Sequence, residues 1–508
     1  MSTKATFGYP RWFATIFLTD IWERFSFYGM MAILTLYAAA DRSEGGLGLS
    51  MTEASAMYGS YIGLVFVLSL PGGWLGDRIL GAWRGVLWGG ILIALGHYSM
   101  AIPSDATSYL GLLLIALGTG LLKPNMFALI SGFFGTGERA RREAAFSILY
   151  VSIQISALIA PLVVGLLGET LGWHWGFAAA GVGMTFGVAQ FAMGGRHFGE
   201  IGKVPPHPAG DRERAKVLRW TVTIVLVLAA LIALDVVAGT FTIMHLVAAF
   251  GLVALTAPFV YFRVLSRNPA MGEGGKRRLR AFFWLLLSFS MFWMLAGQSG
   301  SMLNLFAKNS TERDLFGFTL PGSWFQSVIP FFILVSAPVF AWLWVRFDDR
   351  IGSPTKFGAA LLLVGTAFVV MYGAAASASD GGKVSALWLL AVFFLVACGE
   401  VIIGPVGIAA AAEVTSSAFI GRTIGLVWLF SALGAGLGSQ VVHLADVIPD
   451  QFYYLSLGLL VVCVGLLVAG LGRGLRFSNA AEAQAEPTAE TGPVADRTGP
   501  VAGKTGPA

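Results

Sequence analysis

The chain has 508 residues, 56% of them hydrophobic and 12% charged, with a mean hydropathy of +0.75, against about 25% charged in a soluble domain. This excludes a soluble globular protein and points to a polytopic α-helical membrane protein; the alternating ten-residue strands of an outer-membrane barrel are absent. The net charge of +5 is no nucleic-acid signal, because the basic residues divide by membrane side.

A span needs about 20 apolar residues. Fourteen segments qualify, at about 12–39, 53–76, 85–104, 107–133, 144–168, 173–195, 215–238, 240–264, 280–307, 321–347, 355–376, 386–413, 419–444 and 452–472. No cleavable leader is expected ahead of the first. Even-to-odd loops such as GTGERARRE, DRERAK and GGKRRLR are basic. Odd-to-even loops carry Asp41, Glu44, Asp105, Glu169, Asp380, Asp446 and Asp450. By the positive-inside rule both termini are cytoplasmic, in a multi-pass protein of the plasma (inner) membrane.

The layout predicts a six-helix bundle over 1–195, cytoplasmic loops with an inserted two-helix hairpin over 196–279, and a second six-helix bundle over 280–472. Two six-helix halves predict a parallel repeat with a site between them. Residues 473–508, with TGPVADR, TGPVAGK and TGPA, lack core-forming side chains and are expected to be a disordered cytoplasmic tail.

Cys398 and Cys463 fall inside predicted spans, so no disulfide framework is expected. The six histidines show no ligand spacing, so neither metal nor cofactor is expected. There is no H-E-x-x-H and no G-x-S-x-G beside a plausible triad, which argues against a membrane-embedded enzyme. No obligate protein partner is evident.

Ionisable residues deep in the spans are few: Asp20, Glu23 and Arg24 in the first, Lys123 in the fourth, Asp235 in the hairpin and Glu400 in the twelfth. Each is costly in lipid and should face the protein interior or a wet cavity, beside a partner. Asp20, Glu23 and Arg24, at i, i+3 and i+4, share one helix face. Two readings are open: a structural ion cluster that fixes helix register, or the wall of a functional polar cavity. Asp235, alone in the hairpin, reads as structural, and His97 and His245 as packed, hydrogen-bonded histidines.

DIWERFSFYG (residues 20–29), GGWLGDRILGAWR (72–84), GTGLLKPN (118–125), FSILYVSIQISALIAPLVVG (146–165), GSMLNLFA (300–307), SWFQSVIPFFILVSAPVFAWLW (323–344) and GEVIIGPVG (399–407) together carry a resemblance. The chain resembles the proton-dependent oligopeptide transporter family of the major facilitator superfamily, in its bacterial 14-helix form. The resemblance implies an all-α major facilitator fold: two six-helix bundles, an inserted hairpin and alternating access. It also implies import of di- and tripeptides by proton symport. Arg24 and Lys123 would take the peptide carboxylate and Glu400 its amine. Asp20, Glu23, Arg24, Lys123 and Glu400 would carry proton coupling, with Lys123 and Glu400 pairing when the inner side is closed. The substrate wall implied is Arg24, Tyr28, Phe66, Lys123, Gln154, Trp293, Gln298, Ile329, Glu400, Trp428 and Ser431.

The sequence departs from the family pattern at several of these places. The first motif carboxylate is the shorter Asp20, and the first motif tyrosine is Phe27. Met31 stands where the family often has arginine, and Gly297 where it has a carboxylate. Those two family positions form an outer-gate salt bridge. Losing both can be nearly neutral, whereas losing one strands a buried charge. Phe66 lacks a tyrosine hydroxyl, and Gln154 and Ile329 replace asparagines. These changes keep a modified peptide or peptide-like metabolite, exported or imported, as an alternative cargo. A non-transporting sensor on the same fold is a more distant alternative.

Overall fold

The computed structural model describes residues 10–134, 138–347, 352–379, 381–414 and 419–472. The expected tail, 473–508, lies outside them.

The first bundle is made of α1 (Arg11–Ala39), α2 (Met51–Leu75), α3 (Ala82–Met100), α4 (Asp105–Ser131), α5 (Arg139–Leu171) and α6 (Trp173–Gly194). The hairpin is α7 (Asp211–Val237) and α8 (Ile243–Ser266). The second bundle holds α9 (Gly272–Ala296), α10 (Met302–Asn309), α11 (Val328–Phe347), α12 (Ser353–Ser377), α13 (Leu387–Val414), α14 (Ile420–Val441) and α15 (Asp450–Gly472). Twelve helical segments among the described residues are long and apolar enough to cross a membrane. α1 and α3 fall short of that apolarity although they pack inside the same bundle. In α1 the cause is the charged triad at 20, 23 and 24. In α3 it is a 19-residue run diluted by four glycines, Arg84 and His97.

Local sequence explains the ends and the breaks. α2 starts at a capping box: the Glu53 amide donates to Ser50 Oγ, and the Ser50 amide donates to the Glu53 carboxylate at 2.9 Å. The span expected over 280–307 is not one helix. α9 stops at Ala296, a 3₁₀ turn covers Gly297–Gly300, and α10 resumes at Met302. Likewise α11 is preceded by a 3₁₀ turn over Gly322–Ser327. Irregular backbone at membrane depth is tolerated where protein buries it, and Gln298, Ser299, Gly300, Gly322, Ser323, Phe325 and Ser327 are buried.

The hairpin sits outside the two bundles. No residue of α7 is buried, although the helix is apolar along most of its length. α8 buries Val247, Gly251, Ala254 and Pro258 along one face, against α2 and α14. Asp235 is not alone, as the sequence suggested: it accepts a 2.6 Å hydrogen bond from Thr240 and pairs with His245 Nδ1 at 2.6 Å across the hairpin turn. His245 is therefore hydrogen-bonded but exposed rather than packed. His97 is fully buried, yet neither ring nitrogen has a hydrogen-bond partner among the described residues.

Candidate functional site

α1 places Asp20, Glu23 and Arg24 on its inward face, all buried. Arg24 Nε lies 3.4 Å from Asp20 Oδ1 and 3.4 Å from Glu23 Oε2. Lys123, from α4, reaches Glu23 Oε1 at 3.9 Å. Two carboxylates thus meet two cations, and the buried group is formally neutral. That neutrality is what makes four charges tolerable at membrane depth, because removing any one partner leaves an uncompensated buried charge.

Two neighbours hold the cluster in register. Ser152 of α5 donates a 2.6 Å hydrogen bond to Asp20 Oδ2. The Lys123 ammonium stands 3.9 Å from the centroid of the Phe27 ring, a cation–π contact. The phenylalanine that replaces the family's motif tyrosine loses a hydroxyl and still offers the lysine an aromatic face.

Glu400 sits on α13 in the other bundle and makes no ion pair among the described residues. Tyr28 on α1 and Tyr150 on α5 lie within electrostatic range of it. Lys123 and Glu400 are not paired in this conformation. Tyr28, Phe66 and Glu400 keep partial exposure at mid-helix, and Trp428 is 42% exposed. Phe66 and Trp428 stack across the bundle interface with centroids 6.0 Å apart and ring planes 13° from parallel. Ile329 packs with Ile333, Ala397 and Val401, and the last two flank Glu400 along α13.

Gln154 is buried on α5 one turn beyond Tyr150. Ser431 donates to the Val427 carbonyl of its own helix at 3.4 Å. The Gln298 oxygen accepts a 2.7 Å hydrogen bond from Tyr453. Trp293 lines a small cleft with Ser55, Tyr58, Gly297 and Gln298. At Gly297 an added Cβ would meet nothing within 4 Å, while at Gly300 it would stand 1.8 Å from the Tyr58 hydroxyl oxygen. The position lacking the family carboxylate therefore faces open space, and Met31 is buried.

Three residues escaped the sequence reading. Ser152 lay inside a quoted motif and was not singled out. Tyr150 sat inside a quoted motif without a distinguishing signal. Glu169 read as a loop acid, although it lies within α5.

The POT family profile matches residues 84–475. The chain belongs to the POT family. It is 36% identical to a peptide transporter of Yersinia enterocolitica over 486 residues, covering 92% of this chain and 94% of that one. It is 32% identical to a di-/tripeptide transporter of Lactococcus lactis, covering 92% and 95%. It superposes on the crystal structure of a peptide transporter POT in complex with sulfate with a TM-score of 0.88 and 35% identity, over 93% of this chain and 96% of that one. A POT family transporter in complex with 5-aminolevulinic acid gives a TM-score of 0.89 at 26% identity, over 94% and 99%. The POT family assignment agrees with the all-α, multi-pass architecture expected from hydropathy and motifs.

Proposed function

We propose that this POT family member is a secondary active transporter that moves di- and tripeptides across the plasma membrane by proton symport, through alternating access, with both termini cytoplasmic. The observation that carries the proposal is the charge layout. A neutral but cation-bearing cluster on α1 and α4 stands across the bundle interface from Glu400, an acid with no ion partner among the described residues. A zwitterionic peptide has the complementary layout. Its carboxylate is directed to Arg24 and Lys123, its amine to Glu400, and its side chains to Tyr28, Phe66, Ile329 and Trp428.

A ligand that bridges the bundles favours the occluded state only through its differential affinity for the two conformations. Protonation of a carboxylate weakens the pairs that hold Arg24 and Lys123, and so links proton binding to gating. With glycine at 297, that role falls to Asp20, Glu23 and Glu400. The relatives named as di-/tripeptide transporters support the cargo class.

A second reading keeps the mechanism and changes the cargo to a modified peptide. It is favoured by the apolar wall: Phe66 stacked on Trp428, and Ile329 in an aliphatic cluster beside Glu400. Competition assays in proteoliposomes separate the two. Plain dipeptides displacing labelled di-alanine at concentrations equal to or below those of hydrophobically capped dipeptides support the first reading. Displacement by the capped forms at concentrations far below those of every plain dipeptide overturns it.

A further inference from the structure

At the end of the bundles opposite the basic loops, α5 presents a stripe at Leu158, Leu162, Gly165 and Glu169, spaced four, three and four residues apart on one helix face. The turn Gly322–Ser327 of the other bundle lies along it. Ser327 Oγ donates to the Leu158 carbonyl at 2.7 Å, and Trp324 Nε1 donates to the Leu162 carbonyl at 3.0 Å. The Glu169 carboxylate accepts the Gly322 amide at 2.9 Å, the Ser323 amide at 2.8 Å and the Ser323 hydroxyl at 2.5 Å. Close approach is possible because residue 165 is glycine: a Cβ there would stand 2.0 Å from Ser323 Oγ.

Every bond in this set crosses from one bundle to the other. Two more cross nearby: Thr35 Oγ1 donates to the Gly300 carbonyl at 2.7 Å, and Asn304 Nδ2 donates to the Ala32 carbonyl at 2.8 Å. Glu169 is the one charged group among these contacts. Hydrogen bonds to an ionised acceptor are about twice as strong as neutral ones. Rocking the bundles apart at this end must break all three bonds to Glu169 together, since Gly322 and Ser323 move as one turn.

We propose that Glu169 and the Gly322–Ser327 turn form an interbundle latch that holds the outer end shut, and that releasing it is a step of the transport cycle. Glu169 is a positioning residue, remote from the ionic cluster and from Glu400. The latch rests on the alternating-access reading above, and its test needs no substrate.

The test is thiol labelling of Ala32→Cys, a site 1% exposed at the closed end, in a Cys463→Ser background. Native Cys398, also buried, reports general loosening. A membrane-impermeant maleimide is applied to right-side-out and inside-out vesicles. Glu169→Ala is expected to raise the Ala32→Cys labelling rate about tenfold, the equivalent of one charge-assisted hydrogen bond, with Cys398 unchanged. Ser323→Ala, which removes a single donor and is the milder variant for folding, is expected to give a smaller rise. Glu169→Asp is expected to recover part of the protection. An unchanged rate in both Glu169→Ala and Ser323→Ala, or equal rises at Ala32→Cys and Cys398, would overturn the latch. A rise confined to inside-out vesicles would also overturn a latch at the outer end.

Discussion

Removing Lys123 tests whether charge neutrality holds the buried cluster together. Lys123→Met keeps the length of the stem and its contact with Phe27, but leaves two carboxylates against one guanidinium. At the 3.9 Å separation from Glu23, an effective dielectric constant of 20 gives an attraction of about 4 kcal/mol. The lysine side chain retains 16% exposure while Glu23 is 1% exposed, so solvent screening reduces the loss to about 2 kcal/mol. The variant should unfold at a lower temperature in detergent. Adding Glu23→Gln restores neutrality, and the double variant should recover most of that stability while remaining inactive in uptake. Differential scanning fluorimetry on the wild type, both single variants and the double variant closes the cycle. Unchanged stability in Lys123→Met, or a double variant no more stable than Lys123→Met, would refute the reasoning.

Three further outcomes follow from the same geometry. Ser152→Ala removes the 2.6 Å donor to Asp20 and should cost about 1.5–3 kcal/mol, with recovery by Ser152→Thr, measured by thermal unfolding. Gly297→Ala should be neutral within about 0.5 kcal/mol because its Cβ enters open space, whereas Gly300→Ala pushes on Tyr58 and should cost about 1–3 kcal/mol; unfolding curves of the pair report this contrast. Glu400→Gln should fold normally, as judged by gel filtration and melting temperature, and lose concentrative uptake. Normal accumulation by that variant would remove Glu400 from the mechanism.

Much of the architecture was legible because lipid imposes a simple rule: backbone must be satisfied within a helix, and apolar length measures the span. The positions of α1, α4, α6 and α12–α15 follow from that rule to within a few residues. The inward face carrying Asp20, Glu23 and Arg24 follows from helical spacing alone. The break at 297–301 was missed although Gly-Gln-Ser-Gly-Ser carries a turn signal, because the flanking apolar runs read as one span; the turn is also held by contacts with α1 and α2 from far away in sequence. Ser152 was hidden for a related reason. A serine in an apolar helix signals a close contact without saying to what, and its partner Asp20 lies 132 residues away. Glu169 was assigned to a loop because span boundaries were drawn where hydropathy falls, while α5 continues to Leu171. The Asp235–His245 pair was missed because the turn geometry brings the end of α7 against the start of α8.

The central claim, proton-driven peptide transport by an ionic cluster facing Glu400, is tested most directly by uptake of labelled di-alanine into proteoliposomes. The comparison is between an inward proton gradient, a membrane potential alone and neither. Accumulation above equilibrium under the proton gradient, abolished by a protonophore, is the predicted result. Passive equilibration unaffected by the gradient, or no uptake of any di- or tripeptide by folded protein, would contradict it.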